Sequence, residues 1–208
     1  RNLTIQHLEM PFPGSDPYKI YLHELKQRIL DRQEAIEPGS SFKTSAIGDT
    51  VVVGMNFQGN QFDGVPNDND IAINTNGQLI SVTNSMIYVF DVDRDSLLLS
   101  ISLEAFTDSS VGLPARKFDP RITYDHQEDK FIIAYLSGNL STENGIVVGF
   151  SETSDPLGNW NLYGLPGNPF NDTTWSDYPM MEIADGRLMI TVNQIRDNVS
   201  WQLGFSQS

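Results

Sequence analysis

The sequence predicts an all-β chain: a partial β-propeller of about three to four blades preceded by one N-terminal amphipathic helix. Three observations predict it. From Gly48 onward the chain is a succession of short runs rich in Val, Ile, Leu, Tyr and Phe, separated by polar turns such as NTNGQ, DVDRDS, DHQED and ADGR. After Gly39 no stretch has the length and spacing of a useful helix. Finally, one pattern recurs: an aspartate, a strand of about five residues, a polar turn, then a strongly apolar strand. It begins at Asp70, Asp119 and Asp177, with separations of 119 − 70 = 49 and 177 − 119 = 58. Periods of roughly 40–60 residues with about four strands each are the mark of propeller blades. A single four-stranded blade cannot bury both of its faces, so neighbouring blades must stack.

The elements follow in order. Residues 1–47 form a lead-in and a helix. EMPFPGSDP is a rigid, proline-rich approach; Asp16 suits the N-cap and Pro17 the first helical position. Tyr18, Tyr21, Leu22, Leu25 and Ile29 then fall at helical spacing, and Pro38-Gly39 ends the element. Its apolar face is expected to pack on the flank of the sheet region. Residues 48–208 form the blades. TVVVGMNF belongs to an early one, and counting from Asp70 gives two full blades and the start of a third. A closed ring needs more, so the chain reads as a fragment of a longer propeller. Its start at Arg1 and its stop just after WQLGFS read the same way.

Composition narrows the chemistry. With 208 residues, 39 % hydrophobic and 19 % charged, the chain is globular rather than disordered. A net charge of −14 repels nucleic-acid phosphate and anionic lipid, so neither is an expected partner. No apolar run approaches the roughly 18 residues of a membrane helix, so no direct membrane insertion is expected. There are no cysteines, which excludes disulfides, thiolate metal sites and cysteine nucleophiles. The three histidines, His7, His23 and His126, are far apart and read as ordinary surface or packing residues.

Carboxylates are therefore the candidates for chemistry. In a propeller the innermost strand of each blade lines a central channel, so Asp70, Asp119 and Asp177, each placed at the start of that strand, should approach one another. Clustered carboxylates repel and need a cation, an arginine or a proton. With Asp68 and Asn67 adding oxygen ligands, a calcium site built from Asp68, Asp70, Asp119 and Asp177 is one expectation. The competing one is that each aspartate accepts backbone N–H groups and fixes the turn between blades. Arg121 could also satisfy a carboxylate by an ion pair. Asp119, Asp177 and Glu182 are the candidates if the channel hydrolyses or cleaves glycosidic bonds, which requires paired carboxylates at defined separations. DVDRDS opens like a calcium loop, but Ser96 and Ser102 stand where glycine and glutamate are needed, so it reads as a charged hairpin tip. Trp160, Trp175 and Trp201 read as packing residues, with Trp175 also a candidate for stacking on a sugar ring.

The ordered series PNDN, DPR-x-x-YD, S-x-T-x-DP-x-G-x-W and DYP, within roughly residues 48–195, resembles the β-propeller region of large secreted or surface-exposed proteins of gliding, Bacteroidetes-type bacteria. The resemblance implies a propeller fold and export across the outer membrane by type IX secretion. It also implies that Asp-Ser/Thr-apolar sites can be O-glycosylated, which Thr50, Ser96 and Thr173 fit. On this reading the chain is a secreted or outer-membrane surface-exposed module for binding or scaffolding. Its partner would be a surface glycan or protein, or the secretion or gliding machinery. The alternative is a propeller glycoside hydrolase or lyase using the channel carboxylates.

Overall fold

The computed structural model describes residues 6–7, parts of 17–31, 59–60, 68–107, 111–113, 116–197 and 202–207. The chain begins with β1 (Gln6–His7) and a helix, α1, within 17–31. The first sheet follows: β2 (Asp70–Ile73), β3 (Gln78–Val82), β4 (Met86–Asp91) and β5 (Ser96–Ser102). A single helical turn, α2 (Leu103–Phe106), leads out of it. The second sheet comprises β6 (Lys117–Asp125), β7 (Lys130–Leu140), β8 (Glu143–Ser151) and β9 (Trp160–Pro166). The third takes β10 (Thr174–Ala184), β11 (Arg187–Arg196) and β12 (Gln202–Gln207). Each sheet is four-stranded, and every pairing is antiparallel between strands consecutive in the chain, with one exception. The fourth strand of the third sheet is β1, paired Gln6↔Phe205 and His7↔Gly204. The local pattern predicts only the start of a third unit. That unit gains its outer strand from the opposite end of the chain, a long-range pairing that no local pattern encodes.

The hairpin turns are made by the residues expected of them. Asp185 and Gly186 both take positive φ, 51° and 67°, so β10 and β11 are joined by a tight two-residue turn. DVDRDS is a charged hairpin tip: the Asp91 carboxylate accepts the Arg94 N–H at 3.0 Å and pairs with its guanidinium at 3.1 Å. Residues 151–160 fold through their own side chains together with backbone bonds such as Glu152 N–H to the Asn159 carbonyl at 2.9 Å. Ser151 Oγ accepts the Phe131 N–H at 2.8 Å and donates to the Thr153 carbonyl. Thr153 Oγ1 accepts the Asp155 N–H, and Asp155 Oδ1 accepts the Leu157 N–H. Trp160 Nε1 donates to the Pro156 carbonyl, and its ring meets Phe106 edge-on at 5.4 Å. Gly158 N–H donates to the Asp155 carbonyl at 3.1 Å, so every named position of the S-x-T-x-DP-x-G-x-W motif is spent on folding a turn.

Burial explains the stacking order. The apolar strand β7 alternates its side chains between two cores. Phe131, Ile133 and Tyr135 join Ile80, Val82, Ile87 and Val89 of the first sheet in one cluster. Ala134 and Leu136 join Ile146, Val148, Ile190 and Val192 in a second cluster, between the second and third sheets. The second sheet is therefore buried on both faces, which is why β7 reads as one unbroken apolar run. Each such fully buried side chain contributes about 1.5–3 kcal/mol. The first strands of successive sheets touch, β2 against β6 and β6 against β10. The expected succession of stacked four-strand units is what the described residues form. TVVVGMNF and Trp201 lie outside the described residues. Of α1, Ile20 is 60 % exposed, while Tyr21 and Leu25 are half-buried. Among the described residues no helix is long and apolar enough to cross a membrane.

Candidate functional site

The first strands carry matching irregularities. In β6 the partners run from Phe118↔Leu136 to Arg121↔Ala134, so one extra residue is inserted there. In β10 they run from Asp177↔Asn193 to Met180↔Thr191, with the same insertion. At each bulge one residue takes positive φ, Asp119 at 51° and Tyr178 at 49°, followed by a fully buried proline, Pro120 or Pro179. Asp68 repeats the feature at φ 39°, two residues before β2 begins. The structural counterparts are therefore Asp68, Asp119 and Tyr178, not the three aspartates aligned by sequence. Asp119 and Asp177 also lie inside strands that begin at Lys117 and Thr174, which corrects their expected place at strand starts. Aspartate tolerates the left-handed region because its short side chain can bond locally. Tyrosine there is strained and is held by its surroundings.

The bulges bring Asp119 and Asp177 together. Each carboxyl group is close enough to act on the other, and Asp68 lies close enough to act on both. Burial, then the Asp177 and Asp68 charges, push Asp119 up to about 6, against the pull of Arg121 and the Tyr178 N–H. Burial also raises Asp177, and the Asp68 charge adds to that, while hydrogen bonds from Tyr178 N–H and from Asp119 act the other way. The physical content is that buried carboxyls with like-charged neighbours do not ionise cheaply, so Asp119 keeps its proton to higher pH than a free aspartate. Arg121 spans the same junction: its Nε donates to the Pro179 carbonyl at 3.1 Å. Its guanidinium also lies 5.0 Å from the centre of the Tyr178 ring.

Asp70 is not a member of this group. Its carboxylate accepts the Ile71 N–H at 3.0 Å and, across to the second sheet, the Ile122 N–H at 3.1 Å. It braces β2 against β6, as the turn-fixing reading of these aspartates expects. Glu182 is exposed on β10, five residues beyond Asp177, roughly 15 Å away at strand rise. Trp175 is half-buried and packs against the second core, so its ring is not a free platform. Thr173 is exposed, Ser96 is half-buried at the start of β5, and Thr50 lies outside the described residues. Among the described residues no set of three or more His, Cys, Asp or Glu side chains is spaced to hold a metal ion. The expected calcium site therefore rests on the sequence pattern alone.

Two contributors escape a reading of the sequence. Tyr178 supplies an N–H to both carboxyls, and the signal for it is the tyrosine preceding proline in DYP. Tyr124, whose hydroxyl donates to Asp129, is held up to about 12 by burial and by that carboxylate. It is a structural group of the β6–β7 turn.

No protein-family model matches the chain, and no curated protein matches it. Among solved structures, the crystal structure of an alpha-L-arabinofuranosidase from Lactobacillus brevis aligns at 12 % identity with a TM-score of 0.46. The match covers 67 % of this chain and 47 % of that one, so the chain spans about half the length of the structure it resembles. A likeness at that level carries no argument about fold or chemistry.

Proposed function

We propose that the chain is an arc of a β-propeller, secreted or displayed on a bacterial outer surface, that serves as a binding and scaffolding module with glycan contact as its main work. Support for the propeller comes from the stack itself: successive four-strand meanders touch through their first strands and bury the faces between them. The far face of the first sheet leaves Ile71 61 % and Ile73 44 % exposed, the kind of apolar surface a further sheet covers. Support for an extracellular place comes from the ordered PNDN, DPR, S-x-T-x-DP-x-G-x-W and DYP series.

The observation that carries binding over hydrolysis is the placement of Glu182, exposed on β10 and apart from Asp177. Retaining hydrolysis needs carboxyl groups about 5–5.5 Å apart, and inverting hydrolysis about 6.5–9.5 Å. Glu182, at roughly 15 Å from Asp177 along the strand, is farther than either, so the two do not form such a pair. The test is retention of the purified chain on insoluble polysaccharides and on outer-envelope fractions, with reducing sugar assayed in the supernatant. Retention without release is expected. Release of reducing ends that stops in Asp119→Asn would replace this reading with a hydrolase, and absence of retention on every matrix would remove it. Antibody labelling of intact cells checks the location.

A further inference from the structure

The second and third sheets seal against each other only along part of their length. By strand alternation and register, one face of the second sheet carries Asp125 and Lys130, then Ile132 and Phe150, then Asn161 and Tyr163, from inner to outer strand. At mid-strand, Ala134, Leu136, Ile146 and Val148 on that face are covered by Ile190 and Val192. Nearer the turns, the third sheet narrows to its Asp185–Gly186 hairpin and offers only Ile183, Arg187 and Leu188. The sheets part there and leave a groove of about 410 Å³. That lies within the roughly 300–1,000 Å³ range of ligand pockets.

We propose that this groove is a saccharide-binding site, with the Tyr163 and Phe150 rings as its stacking platform; the proposal rests on the glycan-contact reading above. Tyr163 is 55 % exposed yet held: its ring meets Phe150 edge-on, centroids 6.0 Å apart at 71°. An exposed ring fixed by a neighbour is pre-organised, so stacking on it costs little ordering entropy. The polar rim selects the ligand class. Asp125 and Glu128 oppose Lys130 and Arg187, two charges of each sign, and Asn161 adds an amide. A polyanion would meet the acids, and a purely apolar ligand would leave the rim unpaired. A neutral sugar presents C–H groups to the rings and hydroxyls, both donor and acceptor, to acids, bases and amide alike. Trp175, the aromatic the sequence suggested for sugar contact, is packed against the core, and Tyr163 takes that part.

The test is titration calorimetry of the full chain against neutral cello-, xylo-, manno- and malto-oligosaccharides. Binding of at least one series is expected, weakened tenfold or more by Tyr163→Ala, kept by Tyr163→Trp, and unchanged by Ile71→Ser on the far face of the first sheet. Circular dichroism checks that the variants fold. Wild-type affinity persisting in Tyr163→Ala would place the ligand elsewhere and overturn the groove while leaving the binding module intact. Failure of every oligosaccharide to bind would also overturn it, even if retention on envelope fractions persists. Protection of Tyr163 from hydroxyl-radical footprinting in the free chain would show that another part of the polypeptide fills the groove, and the saccharide site would fall with it.

Discussion

Asp119 and Asp177 give the clearest consequence of a single side chain. Asp119 is raised from the ordinary 3.8 to about 6 in the folded chain, first by burial, then by Asp177 and Asp68. A group whose folded value is raised favours the folded state below its unfolded value and loses that contribution as pH climbs through its folded one. Its stabilisation is therefore complete near pH 3.5 and gone above about pH 6.5. Each unit is worth about 1.4 kcal/mol, and discounting for the partial exposure of the pair leaves about 1–2 kcal/mol. Asp119→Asn removes both the proton requirement and the repulsion. The variant should match wild type in urea melts at pH 4 and exceed it by about 1–2 kcal/mol at pH 7.5. Equal stability of the two at pH 7.5 would mean that burial and the neighbouring charges do not hold a proton on Asp119. Arg121 and Tyr178 set how far the effect extends, since the guanidinium and the Tyr178 N–H both favour the ionised form.

Among the elements, the connection from the second sheet to the third depends on one amide. Asn144 Nδ2 donates to the Gly138 carbonyl at 2.9 Å, and its Oδ1 accepts the Ser176 N–H of β10 at 2.8 Å. Ser176 in turn donates to the Gly167 carbonyl, and Gln194 to Ser176. The whole group is buried or half-buried, so each lost partner leaves an orphaned polar atom costing about 1–3 kcal/mol. Gly167 sits so close that an added methyl would overlap the Asn144 amide and its backbone carbon. Gly167→Ala should therefore cost about 2–4 kcal/mol, the sum of overpacking and a displaced hydrogen-bonded amide. Calorimetry reads it as a lowered melting temperature. A change under about 0.5 kcal/mol would show that the amide can move aside without loss.

For the whole molecule, the decisive feature is a middle sheet buried on both faces. Leu136 is fully buried and belongs to the core with the third sheet, while its neighbour Tyr135 belongs to the core with the first. Loosening one face therefore loosens the backbone that carries the other. Leu136→Ala should cost about 2–5 kcal/mol and lower one cooperative transition, with β7 and β8 amides the slowest to exchange in wild type. Two separated transitions in the variant would show that the sheets unfold independently. The polar strand ends and turns stay outside these cores, which is where binding surfaces sit on a rigid frame.

The sequence by itself determined the β class, the strands and the four-strand unit, because each rests on local signals. Apolar runs, turn residues such as Asp185-Gly186, and the self-folding turn at 151–160 are all legible over short stretches of chain. It also singled out Asp119 and Asp177. It misread their register by one position, since DPR and DYP align by their aspartates in sequence but by their bulges in space. Only the tertiary structure decided the rest. It placed Asp70 on the Ile122 amide instead of in the acidic group, left Asp68 of the expected cluster beside Asp119, buried part of Trp175 and opened a groove beside Tyr163. β1, from the chain's beginning, became the outer strand of the third sheet. The physical reason is the same in each case: a side chain's partners across two sheets come from packing between distant segments, and local periodicity carries no information about which segments meet.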